Sequence, residues 1–577
     1  MMLPKGFFMI IDKLELINFR NFEAAEIAFK ESTLIIGVND VGKTNLIYAL
    51  RLLLDKSLSD REIEPSESDF NIKSDGTQAD NFIITIHFSN IDEEAVLAVL
   101  RGHISDEGKT ILRFTASRKN LDYKLYAGSD IDELEEISSR FYLKYINLRY
   151  VRSQRDLQKF IDMEKKQLLK ISQLDRTEED REVDSKQMDK IGRGLNVVNE
   201  RVRKLNYVKN STNLINEELQ KLSHTFNGYG VHLDSGSIKV QQFIDNLQLS
   251  ASASGSKIML GGDGRNNQIL LALWKAKSQR EHDPTHEVVF YCVEEPEVHL
   301  HPHQQRKLAD YLIKELPGQT LITTHSPQIT ERYKPDSIVH LVNRGSGTYA
   351  ASGGCSACIS DAWDDLGYRM SILPAEAFFA KVVLLVEGPS EKLFYSEYAK
   401  INDIDLDFYN ISILCVDGVQ FEVYASILNA MEIPWVMRTD NDVSNITVKK
   451  VEMKNLAGVN RCLTILKMKK LEHVDINETP QTLVASGVWK KVSEVINPRG
   501  VYLSKVDLEH DLADELPKEL LAFSGKGNID DAVAYMATKK AIRMRSFLHD
   551  HKDSLSAIKG GELAKPMLNC LKIAEGN

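Results

Sequence analysis

The sequence predicts an α/β chain made of two blocks of alternating strands and helices: a phosphate-binding head split by a helical insert, then a small parallel-sheet domain. Three features of the chain point to it. The apolar run Thr33-Leu34-Ile35-Ile36 leads straight into the glycine-rich Gly37-Val38-Asn39-Asp40-Val41-Gly42-Lys43-Thr44. A second apolar run, Val288-Val289-Phe290-Tyr291-Cys292-Val293, ends in the paired acids Glu294-Glu295, but only after a long polar excursion. After Ala375, four short apolar runs alternate with helical stretches and end in carboxylates. The expected division is residues 1–152 and 246–375 for the two parts of the head, 153–245 for the insert and 376–577 for the last domain.

Composition sets the outer limits. The chain has 577 residues, 43% of them hydrophobic, enough for several packed cores. No apolar stretch is long enough to cross a bilayer, so no membrane role is expected. Met1 to Met9 is apolar but too short for a secretory signal, and reads as a leader ahead of a start near Met9. Six scattered cysteines, two of them (Cys292 and Cys415) in core-strand patterns, fit a reducing cytoplasm. Cys355-Ser356-Ala357-Cys358 alone has metal-ligand spacing, and without a second pair nearby it reads as a loop. A net charge of −11 argues against a protein that coats nucleic acid indiscriminately. A metal-dependent nuclease, which concentrates acids at its centre, remains compatible with it. Lys449, Lys450, Lys454, Arg461, Lys467, Lys469 and Lys470 then read either as a basic approach for DNA or as a solvated face.

The first loop is a Walker A motif in its required setting, a strand before and the apolar helix pattern Asn45 to Leu54 after. Gly37, Asn39 and Gly42 are expected to supply backbone N–H groups for the β- and γ-phosphates of ATP or GTP, Lys43 a mobile cation and Thr44 a hydroxyl for magnesium. In the Walker B string Glu294-Glu295-Pro296-Glu297, Glu294 is placed to reach the magnesium shell and Glu295 to polarise an attacking water. His325, in Thr324-His325-Ser326-Pro327 after another strand, is expected to face the γ-phosphate. His299, His301 and His303 have the spacing of a turn-to-helix junction more than of a metal site.

In the insert, Leu157 to Ile171 and Met188 to Leu205 carry apolar residues at three- and four-residue steps, with the charged Asp175 to Glu182 between them. That pattern predicts helix, polar turn, helix. The apolar stripe that two helices leave uncovered suggests dimerisation, with packing back on the head as the alternative. The glycine-rich Leu260-Gly261-Gly262-Asp263-Gly264 before a helical run is a further anion-binding end, through Gly262 and Gly264.

Taken in order, Ile17 to Phe22, Walker A, that glycine loop, Glu-Glu-Pro-Glu-x-His-Leu-His-Pro and Thr-His-Ser-Pro resemble the ABC ATPase head of the RecF, SMC and OLD (overcoming lysogenisation defect) families. The resemblance covers about residues 10–345 apart from the insert. It implies that Arg20 approaches the nucleotide and that two heads sandwich two ATP molecules through their signature loops. This chain lacks the usual Leu-Ser-Gly-Gly-Gln string there, so ATP binding is better supported than hydrolysis.

Beyond Ala375, Lys381 to Val386, Ile411 to Val416, Trp435 to Thr439 and Gly500 to Ser504 read as buried parallel strands. Acids follow them: Glu387, then Asp440 and Asp442, then Asp507 and Glu509. Open α/β sheets place ligands at strand carboxyl ends, and oxygen-only ligands select magnesium or manganese. Two such ions could activate water and stabilise a leaving oxygen in phosphodiester hydrolysis. Glu-Gly on the first strand and Asp-x-Asp on a later one resemble the Toprim domain of topoisomerases, primases and OLD nucleases, over about residues 378–548. That resemblance makes Glu387 a metal ligand or general base and Glu391 a possible second ligand. It makes Asp440, Asp442, Asp507 and Glu509 metal holders, gives Asp417-Gly418 a neighbouring role, and assigns a charge-stabilising lysine to Lys539 or Lys540, with slight preference for Lys540.

An ABC head fused to a Toprim domain is the OLD arrangement. Size, insert and the Asp-Leu-Glu string most resemble the nuclease subunits of Gabija antiphage systems and their retron-associated relatives. The resemblance implies a cytoplasmic bacterial homodimer or homotetramer that nicks or cleaves double-stranded DNA with Mg2+ or Mn2+ under control of ATP. Its implied partner is a helicase in the Gabija case, or a reverse transcriptase and its DNA in the retron case. The competing readings are a non-cleaving ATPase sensor or scaffold, and a DNA-repair enzyme.

Overall fold

The computed structural model describes residues 9–151, 157–222, 250–253, 256–259, 287–298, 300–316, 318–345, 347–355, 375–416, 421–448 and 451–576, with residues 240, 244, 269, 272 and 273 besides. The chain forms two compact units. The first takes Met1–Ser153, Pro284–Glu297 and His301–Asn577, and the second Gln154–Asp283 and Val298–Leu300.

The first unit opens with β1 (Ile10–Phe19), β2 (Phe22–Ala28) and β3 (Ser32–Ile36), followed by helix α1 (Lys43–Leu54). Then come β4 (Asn81–Ser89), β5 (Thr110–Ser117), β6 (Asp122–Gly128), β7 (Glu135–Ile137) and β8 (Ile146–Val151). An antiparallel sheet in the order β2-β1-β4-β5-β6-β7 covers one side of the head. Leu14 and Leu16 alternate with the less buried Glu15 and Ile17 along β1, as a one-faced sheet requires, and Phe19, beyond the left-handed Asn18, is fully buried as well. Phe82 stacks on Phe114 at 5.8 Å and meets Phe19 and Phe70 at 5.1 Å, tying that face into the core beneath α1.

In the second unit, α2 (Leu157–Leu174), α3 (Glu178–Arg203) and α4 (Asn206–Leu222) precede a short hairpin of β9 (Ser250–Ala253) and β10 (Ser256–Met259). The sequence pattern predicts two helices with Asp175 to Glu182 as the turn; three helices form instead, and the turn is shorter. Thr177 Oγ1 accepts the Asp180 N–H at 3.2 Å, and the Asp180 carboxylate accepts the Thr177 N–H at 3.2 Å. This capping box, with Glu178, Glu179 and Asp180 against the positive end of the helix dipole, makes the charged run a helix start.

The chain returns to the first unit with β11 (Val288–Glu294), α5 (Pro302–Lys314), β12 (Thr320–Thr323), β13 (Ile338–Asn343) and β14 (Thr348–Ala350). They complete a sheet in the order β14-β13-β3-β12-β11-β8, parallel except for β14. Thr323 pairs with Ile35 on one side and Glu294 on the other, so three strands end in one row.

The acid-bearing domain follows: β15 (Val382–Val386), α6 (Pro389–Ile401), β16 (Ile411–Cys415), α7 (Phe421–Ala430), β17 (Trp435–Thr439), β18 (Ser444–Val448), β19 (Val451–Asn455), α8 (Ala457–Ile465), β20 (Val501–Leu503), α9 (Leu508–Glu515) and α10 (Lys540–His551). Its four-stranded sheet is wholly parallel in the order β16-β15-β17-β20. Every residue of β15 is fully buried, which its unbroken Val-Val-Leu-Leu-Val pattern requires of a strand covered on both faces. The first crossover runs one way from β15 and the next the other way, so the topological switch point lies between β15 and β17. Among the described residues no helix is long and apolar enough to cross a membrane.

Candidate functional site

In the head, the aligned ends of β3, β12 and β11 bring the glycine loop, His325 and Glu294-Glu295 together. The loop needs its glycines: Gly42 has φ 106°, and a Cβ there would fall 2.1 Å from Asn21 Nδ2. Asn21 earns this closeness by donating to the Val41 carbonyl and to Thr348 Oγ1, both at 2.7 Å, while Asn45 donates to Asn21 Oδ1 at 2.6 Å. Lys43 Nζ curls back on the loop and donates to the carbonyls of Gly37 and Val38, each at 2.9 Å. Burial lowers the Lys43 pKa despite the opposing pull of Glu295, Asp40, Glu294 and Glu297. Asn39 and Thr44 are exposed. Arg20 lies against α1, paired with Asp69 at 2.8 Å, donating to Asn45 Oδ1 at 2.9 Å and stacked 4.2 Å from the Tyr48 ring centre.

Glu294 is buried, and its Oε2 accepts the Tyr150 hydroxyl at 2.6 Å. Glu295 has a left-handed backbone, φ 42°, and its Oε1 stands 3.6 Å from His325 Nε2. Burial and the nearby Lys43 lower the His325 pKa against the pull of Glu295, so its ring is neutral near neutral pH. Glu297, to which the sequence reading gave no role, locks this corner by accepting the Thr324 hydroxyl at 2.7 Å and the His325 N–H at 2.8 Å. Gly262, Gly264 and His299 lie outside the described residues.

The second site is built at the switch point. Glu387, just past β15, receives three donors on Oε1: the Thr439 hydroxyl at 2.5 Å, the Asp440 N–H at 3.0 Å and Arg461 Nη1 at 2.5 Å. Asp442 Oδ2 accepts Arg461 Nη2 at 2.8 Å. Lys540, at the start of α10, places Nζ 3.5 Å from Glu509 Oε2 and 3.8 Å from Asp440 Oδ2. This position favours Lys540 over Lys539, which caps the same helix. Burial alone would lower the Lys540 pKa, but Glu509 and Asp440 outweigh it and keep the ammonium charged.

Burial pushes Asp440 far up, aided by Glu387, and pushes Glu391 and Glu509 up as well. Asp507 differs. Burial would raise it too, yet hydrogen bonds from the His510 N–H at 2.9 Å and ring Nδ1 at 2.6 Å win and hold it low. It is the N-cap of α9, so one of its oxygens is already committed. Asp417-Gly418, Lys449 and Lys450 lie outside the described residues.

Arg461 corrects the reading of a basic approach, or solvated face, over residues 449–470. Its side chain is only 8% exposed and belongs to the acid cluster, while Lys467, Lys469 and Lys470 remain on the surface. Sequence reasoning also missed Thr439, and the pair of Arg438 Nη2 with Asp511 Oδ2 at 2.7 Å behind the site. A signal for Arg438 existed: a permanent charge inside the apolar Trp-Val-Met-Arg-Thr strand demands a buried partner. For Arg461 there was none.

Whether these residues suit a hard divalent cation can be tested on Glu509. It is fully buried, and its carboxylate oxygens lack a close hydrogen bond, the charged Lys540 Nζ standing 3.5 Å from Oε2. A buried carboxylate held only by a distant, half-exposed ammonium, among other oxygen donors, fits such an ion. Among the described residues, no three acids or imidazoles already converge as a finished cage. The Arg461 and Lys540 cations stand between them.

Residues 9–330 match the family described as AAA ATPase domain, and residues 378–442 match the TOPRIM domain of overcoming lysogenization defect protein-like proteins. Over 571 residues the chain is 25% identical to Endonuclease GajA of Bacillus cereus strain VD045, covering 93% of this chain and 94% of that protein. It is 28% identical over 200 residues to Old nuclease of Escherichia phage P2, 32% of this chain and 33% of that one. Among solved structures, an Smc head bound to the C-winged helix domain of ScpA covers 59% of this chain and 97% of its own, at 20% identity and a TM-score of 0.38, a loose likeness. With the ATPase match extending over more than half of its length, the chain belongs to the AAA ATPase domain family, and it joins to that head an OLD-like TOPRIM domain, the make-up of the OLD family.

Proposed function

We propose that the chain is a nucleotide-regulated DNA endonuclease whose TOPRIM acids hold Mg2+ or Mn2+. One observation carries the reading: Glu387, Asp440, Asp442 and Glu509 gather at the switch point of a parallel sheet with Lys540 beside them. The endonuclease and nuclease names of the relatives point the same way. Glu387, Asp440, Asp442 and Glu509 would hold the cations, with Glu391 and the free oxygen of Asp507 at the edge. A bound cation would polarise the scissile phosphate and lower the pKa of a water. Thr439 and the Asp440 N–H orient Glu387. Lys540, kept protonated by Glu509 and Asp440, supplies positive charge for the phosphate oxygens as negative charge develops, and so serves as a stabiliser, not a base.

In the head, Gly37, Asn39, Gly42, Lys43 and Thr44 would hold ATP and its magnesium, Glu294 would face that ion, and Glu295 with neutral His325 would order a water. Exposed Val197, Val198, Leu214 and Ile215 on α3 and α4 support self-association of the insert. Double-stranded DNA is the proposed substrate and antiphage defence the proposed setting, with a helicase or a retron reverse transcriptase as partner.

The test is plasmid cleavage by purified protein across metals, with and without ATP. Glu387→Gln should cut at least about 100-fold more slowly with Mg2+ or Mn2+ while still binding ATP, and Lys43→Ala should do the reverse for nucleotide binding. Undiminished cutting by Glu387→Gln removes the TOPRIM assignment. A wild-type protein that binds ATP and cuts no DNA is the non-cleaving sensor.

A further inference from the structure

Arg461 does what a metal would do at this site. Its guanidinium spans the switch point, with Nη1 on Glu387 Oε1 at 2.5 Å and on Thr439 Oγ1, and Nη2 on Asp442 Oδ2 at 2.8 Å. Those two carboxylates follow different strands, β15 and β17, and the guanidinium bridges them. The arrangement is built, since α8 begins against the acid loop, with the Gly458 N–H donating to the Asp442 carbonyl at 2.9 Å. Phe421 lies under the guanidinium, 6.0 Å from ring centre to Cζ. Lys540 is held more loosely, at 3.5 and 3.8 Å from its acids, with a side chain 48% exposed against 8% for Arg461.

A carboxylate oxygen that accepts charge-assisted hydrogen bonds has little left to give an incoming ion, and two cations a few ångströms apart repel. We propose that Arg461 is a resident counter-cation of the acid site. It holds Glu387 and Asp442 in place in the metal-free enzyme and leaves them when a divalent cation binds, so that loading and release of the guanidinium are one exchange. The proposal rests on reading the TOPRIM acids as a metal site. Arg461 is thereby a positioning residue, and its presence weakens apparent metal affinity by the fraction of molecules in which it is seated.

The test is Mn2+ titration of nucleotide-free full-length protein by calorimetry, with the isotherm lost in Asp440→Asn assigned to the TOPRIM site. Arg461→Ala should bind Mn2+ about tenfold more tightly, melt lower than wild type without metal and gain more than wild type on adding it. Arg461→Met, which keeps much of the apolar stem, should behave likewise if the alanine variant folds poorly, and Arg461→Lys should fall between. Unchanged or weaker Mn2+ binding in a folded Arg461 variant overturns the exchange while leaving the metal reading intact. If wild type shows no binding sensitive to Asp440→Asn, the metal reading itself falls, and the exchange with it.

Discussion

Behind the acid cluster, Arg438 and Asp511 face each other with side chains only 2% and 3% exposed. A charge that deep survives only because its partner is equally deep, and Lys505 adds a backbone N–H to Asp511 Oδ1 at 3.2 Å. Removing one member strands the other. Arg438→Ala should therefore cost about 3–5 kcal/mol, read as a lower melting temperature and urea midpoint, whereas Arg438→Met with Asp511→Leu should recover much of the loss. The acid at Asp511 has no distinguishing mark in the sequence, since its partner lies 73 residues away.

At the scale of elements, the site depends on how closely α8 approaches the end of β17. A Cβ on Gly458 would lie 2.3 Å from the Asp440 carbonyl oxygen and 2.8 Å from both the Asn441 Cα and the Asp442 nitrogen. All three are backbone atoms and cannot swing aside. Gly458→Ala should push the helix off the acid loop, costing about 1–3 kcal/mol and slowing the proposed metal-dependent cleavage far more than it weakens ATP binding, as comparison of cleavage rates with nucleotide affinity would show. The insert teaches a related point. Its charged run reads as a turn by polarity alone, but Thr177 and Asp180 stand at capping-box spacing, and the cap decides.

Across the whole first unit, the head and the TOPRIM domain meet along β13. His340 Nδ1 donates to the Met431 carbonyl at 2.6 Å, Arg344 Nε pairs with Glu432 at 3.1 Å, and the Ser352 hydroxyl donates to the Ala430 carbonyl at 2.7 Å. On its other side β13 touches the phosphate-binding loop, because a Cβ on Gly37 would lie 2.8 Å from the Leu341 carbonyl oxygen. Burial lowers the His340 pKa, against the pull of the Met431 carbonyl and Glu432. The unfolded chain thus takes up this proton first. The contribution of His340 is fully present above the ordinary value of 6.5 and is lost as pH falls through the lowered native value. His510, raised by Asp507, has the opposite sign, its contribution being lost as pH rises through its raised value. Melting temperature measured from pH 7.5 down to about 5.5 should fall more steeply in wild type than in His340→Gln, the difference isolating this joint.

The local chemistry was legible in the chain alone: a glycine loop behind a buried strand, paired acids after another, and acids at the ends of apolar runs that a parallel sheet must align. Those features are local because strand burial, turn geometry and the placement of acids at strand ends are properties of short segments. Folding set the rest: which acids share a site, that Lys540 stands beside Glu509 and Asp440, that Asp507 commits an oxygen to capping α9, and that Arg461 lies among the acids it was expected to stand apart from. Charge pairing of this kind joins residues that are distant in the chain, and their partners follow from strand order and helix packing, which no local pattern encodes.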